Sequence, residues 1–312
     1  MKLYSFEVDS VHHLGADGGQ QLIDLNVAYG VLPAEKRGTD GIPHLPSDMV
    51  SFLHLGKPAV EAARRAADFA MSKTYSADIA RATRDWATVR VLAPIPRPGK
   101  ILCAGVNFTS HLKENPNAKL PDSPRIFAKL PSVVIGTRDA IVHPFLTRQL
   151  DYEVELAAVV GRKMRFVSRA EALDYIVGYT ILNDVSARDV QSKDNQITLG
   201  KNFETFAPMG PCMVTADEFT NPGAAHLRTL VNGEVRQDGS TVDWIFPVEE
   251  LLSFLSQFMT LEPGDIVSTG TPAGVGMFRD PPVFLQPGDL VALEIDGIGR
   301  LENRVVKETK ES

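Results

Sequence analysis

Asp151-Tyr152-Glu153-Val154-Glu155-Leu156-Ala157-Ala158-Val159-Val160 opens with an acid at every second position and closes on five apolar residues without a break. Alternate side chains of a strand share a face, so Asp151, Glu153 and Glu155 fall together if this stretch is extended. A solvated strand face would account for that spacing. The continuation Leu156 to Val160 argues against it, because a strand that is apolar on both faces is buried on both. Carboxylates on a strand that runs into a core repel one another and lose their hydration unless a cation lies between them.

The surroundings of this strand, which Gly161 closes, read as further strands. Val177 to Val185 is a second apolar run, and Asp184 ends it within Ile181-Leu182-Asn183-Asp184-Val185-Ser186-Ala187-Arg188-Asp189. Between the two, Ser168-Arg169-Ala170-Glu171 has the form of a capping box opening a helix to about Tyr175. Upstream, Lys100 to Ala104 is a short strand ending at Gly105. Ser132 to Ile135 and Ala140 to Val142 are separated by Gly136-Thr137-Arg138-Asp139, which reads as a hairpin turn. Downstream, Pro263-Gly264-Asp265 and Pro287-Gly288-Asp289 precede the apolar runs Ile266-Val267 and Leu290 to Leu293. Many strands, few helices and frequent Gly/Pro turns give an α+β, mostly β fold. Asn115 to Ser123, polar and holding two prolines, reads as a mobile loop.

Leu92-Ala93-Pro94-Ile95-Pro96-Arg97-Pro98-Gly99 can continue neither a helix nor a central strand. The domain boundary is placed there, with 1–95 as a small N-terminal α/β domain and 96–312 as a second, larger domain. In the first, Leu3 to Val8 and Gln21 to Val27 read as strands. Ser47 caps a helix through Met49, Phe52 and Leu53, and Val60 to Met71 is an alanine-rich helix.

Charge excludes some partners. The 312 residues carry 39 acids and 32 Lys or Arg, a formal net charge of −7. Phosphate backbones need a basic footprint, so nucleic acid is not the expected partner. No basic run exceeds two residues, and no apolar stretch approaches a membrane span. Cys103 and Cys212 are too few for a disulfide framework and read as buried thiols of a reducing compartment. The first residues lack the regions of a signal peptide. The expectation is a soluble, cytoplasmic chain.

Three further groups bear on chemistry. Oxygen ligands without Cys and with few His suit a hard ion, Mg²⁺ or Mn²⁺, rather than zinc. In Asn107-Phe108-Thr109-Ser110-His111-Leu112-Lys113-Glu114, capping by Thr109 or Ser110 would start a short helix with His111 and Glu114 on one face. A carboxylate that fixes an imidazole makes a general base, although the pair taken alone reads as readily as a surface contact. Lys201 and Lys129 stand among apolar residues, and each needs an anion or a route to solvent. Gly200-Lys201 is no phosphate loop, since that pattern requires glycine where Asn195 stands. The loop Ser268-Thr269-Gly270-Thr271-Pro272-Ala273-Gly274-Val275-Gly276 has the composition to turn backbone N–H groups toward a carboxylate.

Six segments in this order resemble the fumarylacetoacetate hydrolase superfamily: 105–114, Phe-Ala-Lys-Leu-Pro-Ser at 127–132, 151–156, Asn-Asp-Val-Ser-Ala-Arg-Asp-Val-Gln at 183–191, Gly-Lys-Asn-Phe at 200–203, and 269–276. The resemblance implies a mixed β-roll catalytic domain, usually in a homodimer. It places a Mg²⁺ or Mn²⁺ ion on Glu153, Glu155 and Asp184, with Asp151 beside the site. It makes His111 and Glu114 a water-activating dyad on a lid and Lys201 a charge stabiliser. Gln191, Thr271 and Lys129 become the substrate-contacting set, Thr271 at the carboxylate end. The enzyme that names the family has a further acidic ligand ahead of its histidine, where Cys103-Ala104-Gly105 stands here. The chain therefore resembles the acylpyruvase and oxaloacetate-decarboxylase branch more closely. The expected activity is Mg²⁺-dependent hydrolysis of a C–C bond in a small 2,4-diketo acid, releasing pyruvate or a related keto acid. Oxaloacetate-type decarboxylation or keto–enol isomerisation on the same site is the alternative. A non-catalytic binding relative is the rival from another class.

Overall fold

Leu156, Ala158 and Val160 point into one apolar core with Leu227 and Leu293, whereas Ala157 and Val159 point into a second with Ala59, Ala63 and Phe52. The strand Val154–Val160 is thus the wall between two cores, which is why every one of its residues is buried. Its hydrogen-bond partners are Ile176–Asn183 on one side and Ile266–Ser268 on the other. The computed structural model describes residues 1–39, 41–72 and 77–309.

The large mixed sheet runs, neighbour to neighbour, through Thr83–Arg84, Leu22–Asp24, Val11–Asp17, Lys2–Val8, Ala207–Thr215, Ile176–Asn183, Val154–Val160, Ile266–Ser268, Ile101–Gly105 and Arg125–Lys129. A second sheet holds Glu234–Ser240, His226–Val231, Leu290–Ile295, Gly299–Lys307 and Ile141–His143. Packed together they make an α+β molecule that is mostly sheet, and the sheets do not close into a barrel. Asp265 and Asp289 turn their carboxylates back to the N–H groups of Glu262 and Gln286, at 2.7 and 2.8 Å. The two Pro-Gly-Asp turns use the same device to launch Ile266–Ser268 and Leu290–Ile295.

Residues 1–95 join this sheet edge to edge, Lys2 opposite Val214 and Leu3 opposite Met213. Within the first 95 residues, Arg90–Val91 pairs with Glu7 and Phe6. The alanine-rich helix runs Lys57–Ser72 and buries Ala59, Ala62, Ala63, Ala66, Ala67 and Ala70 along one face. That spacing is the stripe of an amphipathic helix laid on a sheet.

Four local readings are corrected. The strand at Gln21 stops at Asp24, whose carboxylate accepts from Val27 N and opens the helix Leu25–Val31. The helix Met49–His54 is capped by Asp48, not Ser47, through Ser51 N. The turn at 136–139 exists, held by Asp139 on Gly136 N at 2.9 Å, but no hairpin follows. Val134–Ile135 pairs in parallel with Ala207–Thr215, whereas Ile141–His143 joins Gly299–Lys307 in the other sheet. At Ser168 the two box side chains bond each other at 2.5 Å, and a 3₁₀ helix, Arg169–Tyr175, takes the place of an α-helix.

Candidate active site

Glu155 lies on the odd-numbered face of the Val154–Val160 strand, Glu153 directly precedes that strand, and the N–H of Asp184 is held on the carbonyl of Glu153 at 3.0 Å. Carboxylate oxygens of Glu153, Glu155 and Asp184 lie within 4.8 Å of one another and all three residues are buried. Asp184 reaches this point because its strand ends at Asn183, whose side-chain oxygen accepts from Glu153 N at 3.1 Å. Three buried oxygen donors with no sulfur and no imidazole among them fit a hard divalent cation.

Cations of the chain balance part of this charge. Lys201 Nζ donates to Glu153 Oε2 at 2.9 Å and Asp184 Oδ2 at 2.5 Å. Arg188 donates to Glu153 Oε1 at 2.6 Å, Asp151 Oδ2 at 2.9 Å and Gln191 Oε1 at 3.3 Å. Burial by itself would raise the Glu153 carboxyl, but Arg188 and Lys201 outweigh it and hold the group below the usual carboxylate range. Among the described residues no Lys, Arg or His is in salt-bridge contact with Glu155, and Lys201 acts on it only through its charge. Ser268 Oγ donates to it at 2.5 Å and Gly270 N at 3.2 Å. Burial, then the Asp184 and Glu153 charges, push its carboxyl well up. Arg188, Lys201 and Lys129, which also holds Asp184, are three cations for the four carboxylates of Asp151 and the triad, and Glu155 is the one left without a cation in contact.

Lys129 corrects an expectation. Its ammonium is fully buried and all three protons are committed, to Asp184 Oδ1 at 2.6 Å, Val185 O at 3.2 Å and Lys201 O at 2.6 Å. It neither snorkels nor has a donor left for a substrate. Lys129 supports Asp184 and the Lys201 backbone from behind.

The segment that the resemblance makes a lid is the helix Thr109–Glu114. Neither Thr109 nor Ser110 caps it: Phe108 holds the cap position, and Asp243, distant in sequence, accepts from Ser110 N at 2.7 Å. His111 Nδ1 and Glu114 Oε2 are 2.6 Å apart, with the two side chains 12% and 15% exposed. Glu114 is held in turn by Gly274 N at 2.8 Å. With Nδ1 engaged, His111 Nε2 is the ring nitrogen left for chemistry. The ring packs on Phe278, 5.8 Å between centroids, and an imidazolium there acts on the Glu153 carboxylate.

The loop 268–276 does turn its N–H groups toward carboxylates, and those it meets are the chain's own. Gly270 N reaches Glu155, Gly274 N reaches Glu114, and Gly276 N reaches Asp151 Oδ1 at 2.7 Å. Asp151 is consumed by Arg188 and this loop, which sets it beside the triad. Gln191 lies half-buried against Arg188, and Thr271 is 3% exposed between the Glu155 and Glu114 arms of the loop. The sequence reading passed over Arg188, although a charge so soon after the apolar run ending at Val185 was a signal. It also passed over Asn107, whose amide donates to Thr269 O and Phe246 O and fixes the base of the lid. Both cysteines are buried and free.

The family profile described as fumarylacetoacetate (FAA) hydrolase C-terminal matches residues 100–306. "Oxaloacetate tautomerase Fahd2a, mitochondrial" of Rattus norvegicus is 42% identical over 311 residues, covering 98% of this chain and 92% of its own. "Oxaloacetate tautomerase YisK" of Bacillus subtilis is 40% identical, covering 91% and 94%. Among solved structures, a fumarylacetoacetate hydrolase from Exiguobacterium antarcticum superposes with a TM-score of 0.79 at 35% identity, over 99% of this chain and 100% of that one. Maleylpyruvate hydrolase from Sphingobium sp. SYK-6, in complex with manganese(II) and pyruvate, gives a TM-score of 0.75 at 29% identity over 99% and 100%.

Proposed function

The chain is an enzyme belonging to the fumarylacetoacetate hydrolase family, and from that premise we propose that it interconverts the keto and enol forms of a small 2-keto dicarboxylate of the oxaloacetate type. The observation that supports this reading is the His111–Glu114 pair beside a buried triad of carboxylates. Tautomerisation moves one proton between C3 and the C2 oxygen, and one poised base is enough for that. His111 Nε2 takes the C3 proton. The electron pair left behind forms the C2–C3 double bond as the C2=O π pair moves onto oxygen, which takes up a proton from water while the imidazolium returns its own to water. Glu114 holds the imidazole in one tautomer and offsets its charge while it carries the proton. Lys201, which desolvation would discharge but Asp184 and Glu153 keep protonated, exchanges no proton and lends a fixed positive charge. Glu153, Glu155 and Asp184 would hold Mg²⁺ or Mn²⁺, which when bound would supply positive charge to stabilise the enolate. The tautomerase names of the two relatives agree with this reading.

A second reading, hydrolysis of a 2,4-diketo acid to pyruvate, draws on the same dyad as a water-activating base, and the manganese–pyruvate complex of the similar hydrolase favours it. Decay of the ultraviolet absorbance of enol-oxaloacetate with Mg²⁺ tests the first, and pyruvate release from acylpyruvates and oxaloacetate tests the others. Acceleration of enol decay that His111→Ala removes supports tautomerisation. Pyruvate release without such acceleration overturns it. We take the enzyme to be a cytoplasmic homodimer, which light scattering checks for the assembly.

A further inference from the structure

We propose that Gln237 is a positioning residue that commits the Thr271 hydroxyl to donating its proton, and that the acceptor it awaits is a carboxylate of the substrate. The proposal rests on the keto-acid reading above and adds how the carboxylate is recognised.

Gln237 is buried in the strand Glu234–Ser240, and its amide uses every position it has. Oε1 accepts from Val154 N at 3.0 Å and from Thr229 Oγ1 at 2.8 Å. Nε2 donates to Pro272 O at 2.8 Å and to Thr271 Oγ1 at 2.8 Å. The two ends of a glutamine amide are alike in shape, so its orientation follows from its partners. Here two partners leave no choice. Val154 N–H can only donate and Pro272 C=O can only accept. Oε1 must face Val154, and Nε2 must face the loop.

The consequence falls on Thr271. Its oxygen accepts from Gln237, so its own proton has to go elsewhere. Among the described residues no acceptor for that proton is present, and the side chain is 3% exposed. A buried donor without a partner is costly to leave unmet. Thr271 lies one residue after Gly270, whose N–H is on Glu155, and three before Gly274, whose N–H is on Glu114. Thr271 thus belongs to the loop segment that reaches both a triad carboxylate and the dyad, where the keto-acid reading puts the substrate. The loop lies directly against the Gln237 strand, since Gly274 sits at φ +105° and a Cβ there would come 2.3 Å from Arg236 O. A site with a waiting donor discriminates for an anionic acceptor and against analogues that lack one.

Oxalate with Mg²⁺, a planar two-carboxylate mimic of a keto acid, serves as the probe, and calorimetry reads its affinity. Thr271→Val should weaken oxalate about ten- to hundredfold, the worth of a hydrogen bond to a charged group. Thr271→Ser should keep it, and Mg²⁺ binding alone should be unchanged in both. Gln237→Met should weaken oxalate in the natural background and add nothing on top of Thr271→Val. Gln237→Glu, which keeps the acceptor for Val154 N and sets a second acceptor against Thr271, should turn the hydroxyl proton inward and give the same loss. That variant carries the test if Gln237→Met does not fold. Unchanged oxalate affinity in Thr271→Val or in Gln237→Glu, or additive losses in the double variant, overturns the proposal. No oxalate binding by the unaltered enzyme with Mg²⁺ would instead overturn the keto-acid reading itself.

Discussion

Glu155 is the residue at which charge, proton and cation meet. Burial first, then Asp184 and Glu153, raise its carboxyl well above the ordinary value. In the metal-free protein it keeps a proton that the unfolded chain would release. Its contribution to folding is therefore full below the ordinary carboxylate range and is lost as pH rises through the raised value. A divalent cation needs the anion, so binding must expel that proton. Mg²⁺ affinity and the Mg²⁺-induced rise in Tm should both grow with pH, and calorimetry in buffers of different protonation enthalpy should register proton release. No released proton would show that Glu155 is already ionised. Lys129 and Lys201 give a second residue-scale prediction. Lys129→Ala leaves Asp184 buried against fewer cations and should destabilise the metal-free fold by about 3–5 kcal/mol in urea unfolding, with Mg²⁺ restoring part of it. Lys201→Ala should keep most of the fold and lose on the order of a hundredfold in turnover. Equal activity losses and equal stabilities would refute that division. The alternating acids marked two members of the triad, Glu153 and Glu155, because a strand displays its period in sequence, whereas Asp184 ends a different apolar run. Lys129 was not legible in that way, since what decides its role is three acceptors brought from 184, 185 and 201.

The lid shows the same limit at the scale of an element. The spacing of His111 and Glu114 was readable because three residues is a helical neighbour distance. The cap was not, because Asp243 comes from 133 positions away and no local signal points to it. The segment that supplies it also bonds Asn107, with Ile245 N on Asn107 O at 2.8 Å and Phe246 N on Asn107 Oδ1 at 2.8 Å. The base of the lid is thus fastened to 243–246 and its tip to Gly274. His111→Ala should cost tautomerisation about a hundred- to ten-thousandfold, the worth of a general base. Asp243→Ala removes a cap worth about 1 kcal/mol and touches no reacting group. It should raise KM and leave kcat nearer to that of the unaltered enzyme, as steady-state rates would show. If Asp243→Ala lowers kcat as far as His111→Ala does, the capping role is wrong. Elsewhere the hairpin reading failed for a reason of the same kind. Turn chemistry at 136–139 is local, but the strand partners of Val134 and Ile141 lie at 207 and 305.

In the whole molecule, the prolines at 94–98 mark a change in composition that the hydrogen bonding crosses. The strand order placed Lys2–Val8 against Ala207–Thr215, and a pairing over two hundred residues leaves no trace in a local pattern. The second core shows what that pairing carries. Leu3, Leu14, Phe52, Ala63 and Ala66 from the first 95 residues pack in one cluster with Ile101, Cys103, Ala157, Val159, Met209, Met213 and Ile266. Cys103, Ala157 and Val159 stand on the two strands behind the triad, on the same face as Glu153 and Glu155. Residues 1–95 hold none of the groups placed at the site, yet they cover the apolar side on which those groups are mounted. A chain of residues 96–312 alone would expose that face and the edge of Ala207–Thr215 together, an apolar sheet surface with unpaired backbone groups along one side. Such a fragment should aggregate or expose dye-binding apolar surface, and should not bind Mg²⁺ with oxalate even though every proposed ligand is present. Supplying 1–95 as a separate chain should restore part of both solubility and oxalate binding, because the two pieces complete one core. Solubility and calorimetry on the fragment, with and without its complement, are the measurements. A soluble 96–312 fragment that binds oxalate and Mg²⁺ as the full chain does would show that the first 95 residues are an appendage rather than a wall of the site.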